Sequence, residues 1–118
     1  MDTRQLWIEP VNGIILARLR GTMTEAILTE CQQRVLALAA DTQQNKVLYD
    51  GLEMDTPSID LTLMQQKHIE AEAGTLGLRR ALVVQNSRAA YLARLAFGSG
   101  DHRVFYNDIE GAFRWLRE

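Results

Sequence analysis

Hydrophobic positions along this 118-residue chain switch repeatedly between short apolar runs and stripes of helical period. Gln5–Glu9 and Ile14–Arg20 are runs rich in Trp, Ile and Leu, separated by Asn12-Gly13, a pair that supplies the positive φ angles of a tight hairpin turn. The pattern predicts two antiparallel strands, the first at an edge or ending at Pro10, which cannot donate to a ladder. After Gly21, Thr22 with Glu25 three residues later reads as a capping box opening a helix over Met23–Ala40. Ile27, Leu28, Cys31, Val35 and Leu38 share one face of that helix, which places Cys31 in the core. Lys46–Asp50 reads as a strand closed by Gly51, followed by an acidic loop. Thr56-Pro57 reads as a helix start, with a helix over Ser58–Ala73. The apolar stripe of this helix is poor: Leu61, Met64, His68 and Ala71 share a side while Ile59 and Leu63 point elsewhere. Arg80–Gln85 carries Ala-Leu-Val-Val, the continuous apolar run of a strand buried on both faces. Ser87 is positioned to cap a helix through Phe97 that sets Tyr91, Leu92 and Leu95 against small Ala89, Ala93 and Ala96, and Gly98-Ser99-Gly100 breaks it. Val104–Tyr106 is the last strand, and Asn107 with Glu110 reads as the capping box of a final helix with Ile109, Ala112, Phe113 and Leu116 on one stripe.

Strand–helix alternation after an opening hairpin implies an α/β domain spanning residues 1–118, with a mostly parallel mixed sheet of about five strands, right-handed crossovers and four helices. The length suffices for one core without disulfides or metals. An apolar content of 47% with 24% charged residues excludes disordered, collagen-like and coiled-coil classes.

Charge and composition narrow the function. A formal charge of −2 with both signs scattered excludes a nucleic-acid module, which needs a basic face, and leaves the doublets Arg79-Arg80 and His102-Arg103 as solvated charges. Cys31 is the sole cysteine, so there is no intramolecular disulfide and no thiolate cluster for a metal, which favours a reducing cytoplasm. Neither a signal-peptide run nor roughly 20 consecutive apolar residues occurs, so no integral membrane segment is expected. Asp50, Glu53, Asp55 and Asp60 form a local carboxylate cluster, but it lacks the spacing of a calcium loop and is read as a solvated acidic loop. His68 and His102 lie far apart in sequence, and there is no nucleophile elbow, phosphate loop or dinucleotide fingerprint. No catalytic, metal or cofactor-binding residue is assigned, and the chain is expected not to be an enzyme.

Several segments together resemble the SpoIIAA-like branch of the STAS superfamily, also labelled STAS/SEC14 domains. Ile15–Thr24 is similar to that family's second strand running through a glycine into a capped helix, and Val47-Leu48-Tyr49-Asp50 to its central strand ending in aspartate. Val83-Val84 with Tyr91-Leu92-Ala93-Arg94 resembles its fourth strand and third helix, and Val104-Phe105 with Ala112–Leu116 its closing unit. The resemblance implies a non-enzymatic regulatory or protein-interaction domain similar to anti-sigma-factor antagonists. In those, an Asp-Ser-Ser-Gly motif after the third strand carries a phosphorylated serine; here the loop reads Asp55-Thr56-Pro57-Ser58-Ile59-Asp60, which places Ser58 near the helix start without the glycine. The expected switch or partner surface is Asp50, Asp55, Ser58, Leu63 and Met64. The alternative is binding of a small apolar or lipid-like ligand in a cavity beneath the helices, with Tyr91, Leu95, Phe97 and Trp115 as wall or core. An unidentified protein partner is implied, and a homodimer is compatible with exposed sheet edges and the uneven second helix.

Overall fold

The computed structural model describes residues 5–71, 77–98 and 101–118. Five strands, β1 (Leu6–Val11), β2 (Ile14–Gly21), β3 (Lys46–Met54), β4 (Arg79–Val84) and β5 (Asp101–Tyr106), form one sheet in the order β1-β2-β3-β4-β5. The β1–β2 pair is antiparallel, turned through Asn12 (φ 51°) and Gly13 (φ 83°), and every later pairing is parallel. Pro10 sits inside β1, where only an edge strand tolerates it. Helices α1 (Glu25–Thr42), α2 (Ile59–Ala71), α3 (Ser87–Phe97) and α4 (Ile109–Leu116) fill the connections and the C-terminus.

Period-two alternation sends neighbouring strand residues to opposite faces. Ile15, Ala17, Leu19 and Val47 meet Ile27, Leu28, Cys31 and Val35 of α1, whereas Ile14, Leu48, Ala81 and Val83 meet Ala112 and Leu116 of α4. Val47 and Leu48, both with no exposed surface, therefore belong to two different cores. Cys31 is buried as its stripe predicts, and desolvation pushes its thiol up to about 12, far from a reactive thiolate.

Local details depart from the sequence reading in one recurrent way: the cap falls on a neighbour of the predicted residue. Thr24, not Thr22, caps α1, accepting from the Ile27 N–H at 3.2 Å, and Thr22 instead donates to Asp55. Asn86, not Ser87, caps α3 through the Ala89 N–H at 2.8 Å. Asp108, not Asn107, caps α4 through the Gly111 N–H at 2.9 Å, while Asn107 takes the left-handed turn (φ 49°) that leads out of β5. Ser58, not Thr56, caps α2, which begins one residue later than predicted; Ala73 at its predicted end lies outside the described residues, as do Ser99 and Gly100 of the predicted break after α3.

Three further expectations are corrected. Strand β3 runs four residues past Asp50, so Asp50 and Glu53 are strand residues and no solvated acidic loop of four carboxylates forms. Strand β5 begins at Asp101, which puts His102 in the sheet rather than a loop. Arg80 is buried against the Phe97 ring at 5.1 Å and Arg79 lies over the Trp115 ring at 3.9 Å, so this doublet is not solvated: each aliphatic stem and planar head packs on an aromatic ring from opposite faces of β4.

Candidate functional site

In a parallel sheet the strands deliver the N-termini of the following helices to one edge, and ligands of such sheets gather there. Here Thr24, Ser58, Asn86 and Asp108 cap four helices along that rim. The loops of the rim are laced together: Asp55 N–H donates to the Gly21 carbonyl at 3.0 Å, the Thr22 hydroxyl to the Asp55 carboxylate at 3.0 Å, the Gln85 amide to the Met54 carbonyl at 3.3 Å, and Asn107 N–H to the Val84 carbonyl at 2.9 Å. Asp55 is thereby an exposed brace between the β2–α1 and β3–α2 loops.

Ser58 is exposed and its side chain accepts from the Leu61 N–H at 3.1 Å, while its carbonyl accepts from both the Thr62 N–H (3.0 Å) and the Thr62 hydroxyl (2.9 Å). Asp50 is elsewhere. Its carboxylate turns to the α4 side of the sheet, is 6% exposed, pairs with Arg18 at 3.0 Å and accepts from the Leu52 N–H at 3.1 Å. Three residues further along β3, Glu53 pairs with Arg20 at 3.2 Å, across the irregularity in β2–β3 register. Asp50 thus has a partner on each carboxylate oxygen, neither of them from the Ser58 loop.

Leu63 stands exposed on α2, with Ile59 one turn before it, and Met64 is half-buried. The inward side of α2 differs from the predicted stripe: Thr62 and Ile69 are buried, and His68 is exposed. A polar residue at the centre of that side is why apolar periodicity misassigned the face. Helix α2 also sits differently from its neighbours. The other three helices pack on strands, whereas α2 lies against α3 and α1.

Between α2 and the sheet lies a cavity of about 70 Å³, several times the roughly 10–15 Å³ that admits one water. Its floor is Tyr49, Gly51 and Leu82–Val84, its sides Leu19, Met23 and Leu28 on one flank and Leu92, Ala93, Ala96 and Phe97 on the other, and its roof Pro57, Thr62 and Gln65. Of the aromatic residues expected for such a wall, Phe97 lines it and Tyr49 joins it, their rings 5.6 Å apart; Tyr91 is exposed, and Trp115 belongs to the α4 core. Burial raises the Tyr49 hydroxyl well above the ordinary phenol range, opposed by the neighbouring Arg80. Thr62 and Gln65 escaped the sequence reading. The available signal was their three-residue spacing on one helix face, but polar residues do not announce an inward face. Among the described residues, no group of three or more His, Cys, Asp or Glu side chains is placed to hold a metal ion, and no helix is long and apolar enough to cross a membrane.

Mixed sheet, four helices and strand order together give the SpoIIAA-like α/β fold. Among solved structures, the chain is similar to a protein of the DUF3478 family with a SpoIIAA-like fold from Shewanella loihica PV-4, at TM-score 0.64 and 18% identity over 94% of this chain and 91% of that one. It is likewise similar to the anti-sigma factor antagonist SpoIIAA in its unphosphorylated form (TM-score 0.61, 14% identity, 95% and 96% covered). An anti-sigma factor antagonist from Mycobacterium paratuberculosis matches at TM-score 0.59 and 10% identity, covering 96% and 93%. No protein-family profile and no curated protein matches the sequence.

Proposed function

We propose that this chain is a regulatory protein-interaction domain that acts by binding rather than catalysis, with its partner surface at the β3–α2 loop and the outer face of α2. The observation that carries this reading is the pair Ile59 and Leu63, 47% and 39% exposed one helical turn apart and directly following the exposed cap Ser58. Apolar side chains held in solvent by a folded helix are the usual raw material of an interface. Two structural neighbours are anti-sigma factor antagonists, which supports the regulatory class. Asp55 belongs to this surface as the brace of its loop and Met64 as its half-buried margin, whereas Asp50, engaged by Arg18 and the Leu52 N–H, stands apart from it. A second copy of this chain is one candidate occupant, and sedimentation at increasing concentration identifies it. The test is affinity capture from extract of the source cells, compared with Leu63→Asp and Met64→Asp. Loss of a specific partner is expected from Leu63→Asp, and unchanged recovery with both variants removes the site assignment.

The cavity favours a second reading, in which the domain holds a small apolar ligand. Native mass spectrometry of freshly purified protein is expected to show a bound species of low mass that is released on denaturation. Its absence after incubation with panels of lipids and metabolites counts against this reading.

A further inference from the structure

Helices are divided unequally between the two faces of the sheet. One face carries α1, α2 and α3, and the other carries α4 alone among the described helices, packed on β3, β4 and β5. Beyond α4 the same face of β2 and β1 continues as a trough. Leu6 and Ile8 of β1 join the α1 core, so alternation turns Trp7 and Glu9 into the trough. Register confirms this: Trp7 lies beside Arg18 and Arg18 beside Asp50, while Glu9 lies beside Leu16 and Leu16 beside Leu48 of the α4 core. Trp7 is 57% exposed, and Leu16, Leu52 and Phe113 at the α4 side of the trough are half-buried.

Trough and helix match in size. Strands lie about 4.8 Å apart, so a helix centred over β2 stands roughly 10 Å from one centred over β4, within the spacing of packed helices. Helix α4 is centred on β4; its Trp115 leans toward β5, with the Phe105 ring 6.0 Å away, which turns Phe113 toward β2. A two-fold axis running along the strands, between ridge and trough, lays the α4 of a second copy in this trough and this α4 in the other. An axis across the strands would set ridge on ridge.

The first axis preserves level along the strands, so the charges that meet follow from register. Leu116 packs with Leu48 and Ala81, at the row of Leu16 and Glu9. At about 1.5 Å per helical residue against about 3.3 Å per strand residue, Arg114 and Arg117 of the second copy fall near the Glu9 row, and its Glu110 near the row of Arg18 and Trp7. Base then meets acid at one level and acid meets base at the other. Glu110, Arg114 and Arg117 are exposed, and neither they nor Glu9 form an ion pair within the chain. Arg18 is held by Asp50, yet its side chain is 44% exposed; Arg20 and Glu53 satisfy each other nearer the rim.

We propose that this face is the contact between two copies of the chain, the α4 of each filling the trough of the other. Glu9 pairs with Arg114, Arg18 with Glu110, and Trp7 is buried beneath the Arg114 side chain at the centre. The contact lies on the opposite face of the sheet from α2, so it goes beyond the partner surface proposed above and leaves that surface open in the dimer.

Sedimentation velocity of the full chain over the micromolar range provides the test. A dimer is expected, and Trp7→Ala is expected to weaken it at least about tenfold. Glu9→Arg and Arg114→Glu each set like charges against one another and are expected to weaken it by about tenfold, whereas the two combined restore it. Circular dichroism checks that each variant is folded, and the charge exchange carries the test where Trp7→Ala is not. Leu63→Asp is expected to leave the dimer intact. A chain that stays monomeric throughout overturns the proposal, as does a dimer indifferent to Trp7→Ala or one that the paired exchange fails to restore. Dissociation by Leu63→Asp would place the contact on α2 instead.

Discussion

At Asp108 the carboxylate satisfies the orphan Gly111 N–H at 2.9 Å, and Gly111 leaves just enough room for it: a Cβ at that position would collide with the Asp108 carboxylate. Asp108→Ala is therefore expected to cost about 1 kcal/mol, and Gly111→Ala to destabilise despite alanine's better helix propensity, because it evicts the cap. Urea melts of the two variants check this, and a stabilising Gly111→Ala would contradict the close packing of cap and helix. Cys31 makes a second prediction, in pH. Its thiol ionises at 9.0 when solvated and is pushed up to about 12 by burial, so the folded state keeps a proton that the unfolded state releases. Stability is then unaffected below about pH 9 and falls as pH rises from there, with Tyr49, also raised, adding to the same alkaline slope. Comparing chemical denaturation at neutral and alkaline pH, Cys31→Ala is expected to flatten the decline. The caps themselves show what was legible at this scale. Thr22-Met23-Thr24, Asn86-Ser87 and Asn107-Asp108 each offer two capping-competent residues within a few positions. At the first of these the choice is made by a partner remote in sequence: Asp55 engages Thr22 and leaves Thr24 to the helix.

At the scale of elements, α4 was readable because its burial is carried by Ala112, Leu116 and the apolar stripe around them, and α2 was not. Its buried positions are Thr62 and Ile69, of which only Ile69 reaches the sheet, beside Leu82, and between them Gln65 lines the cavity. Such a helix has little apolar area holding it to the sheet, and stability in proteins is distributed according to that area. Amide hydrogen exchange is expected to be faster in α2 than in α1 or in β3 and β4, at fixed pH and temperature. Equal protection of α2 and β4 would mean that α2 opens only with global unfolding. The same property gives the proposed surface a physical basis. Ile59 and Leu63 lie on the outer side of the element whose inner side roofs the cavity, so filling the cavity is expected to slow exchange across α2 as a whole.

At the scale of the whole molecule, strand–helix alternation after an opening hairpin was enough to specify a mostly parallel sheet with helices packed on it. It did not specify the cavity, which depends on how far α2 stands from β3 and β4 and on the small side chains of α3 that face the same gap. The sheet is also what makes the two cores one cooperative unit. Val47 serves the α1 side and Leu48 the α4 side of the same strand, each wholly buried, so neither core can dissolve without unpairing β3 from its neighbours. Leu116, on the last turn of α4 and without exposed surface, tests this. Leu116→Ala removes a buried side chain at an expected cost of about 2–5 kcal/mol. If the cores are coupled through the sheet, that loss lowers the denaturation midpoint equally for Trp115 fluorescence, which reports the α4 side, and for far-ultraviolet circular dichroism, which reports all four helices. Trp7, 57% exposed on β1, contributes a background removed by Trp7→Phe. A Trp115 transition preceding the dichroism transition would instead show that α4 detaches on its own, leaving the α1 core folded on a sheet with one bare face.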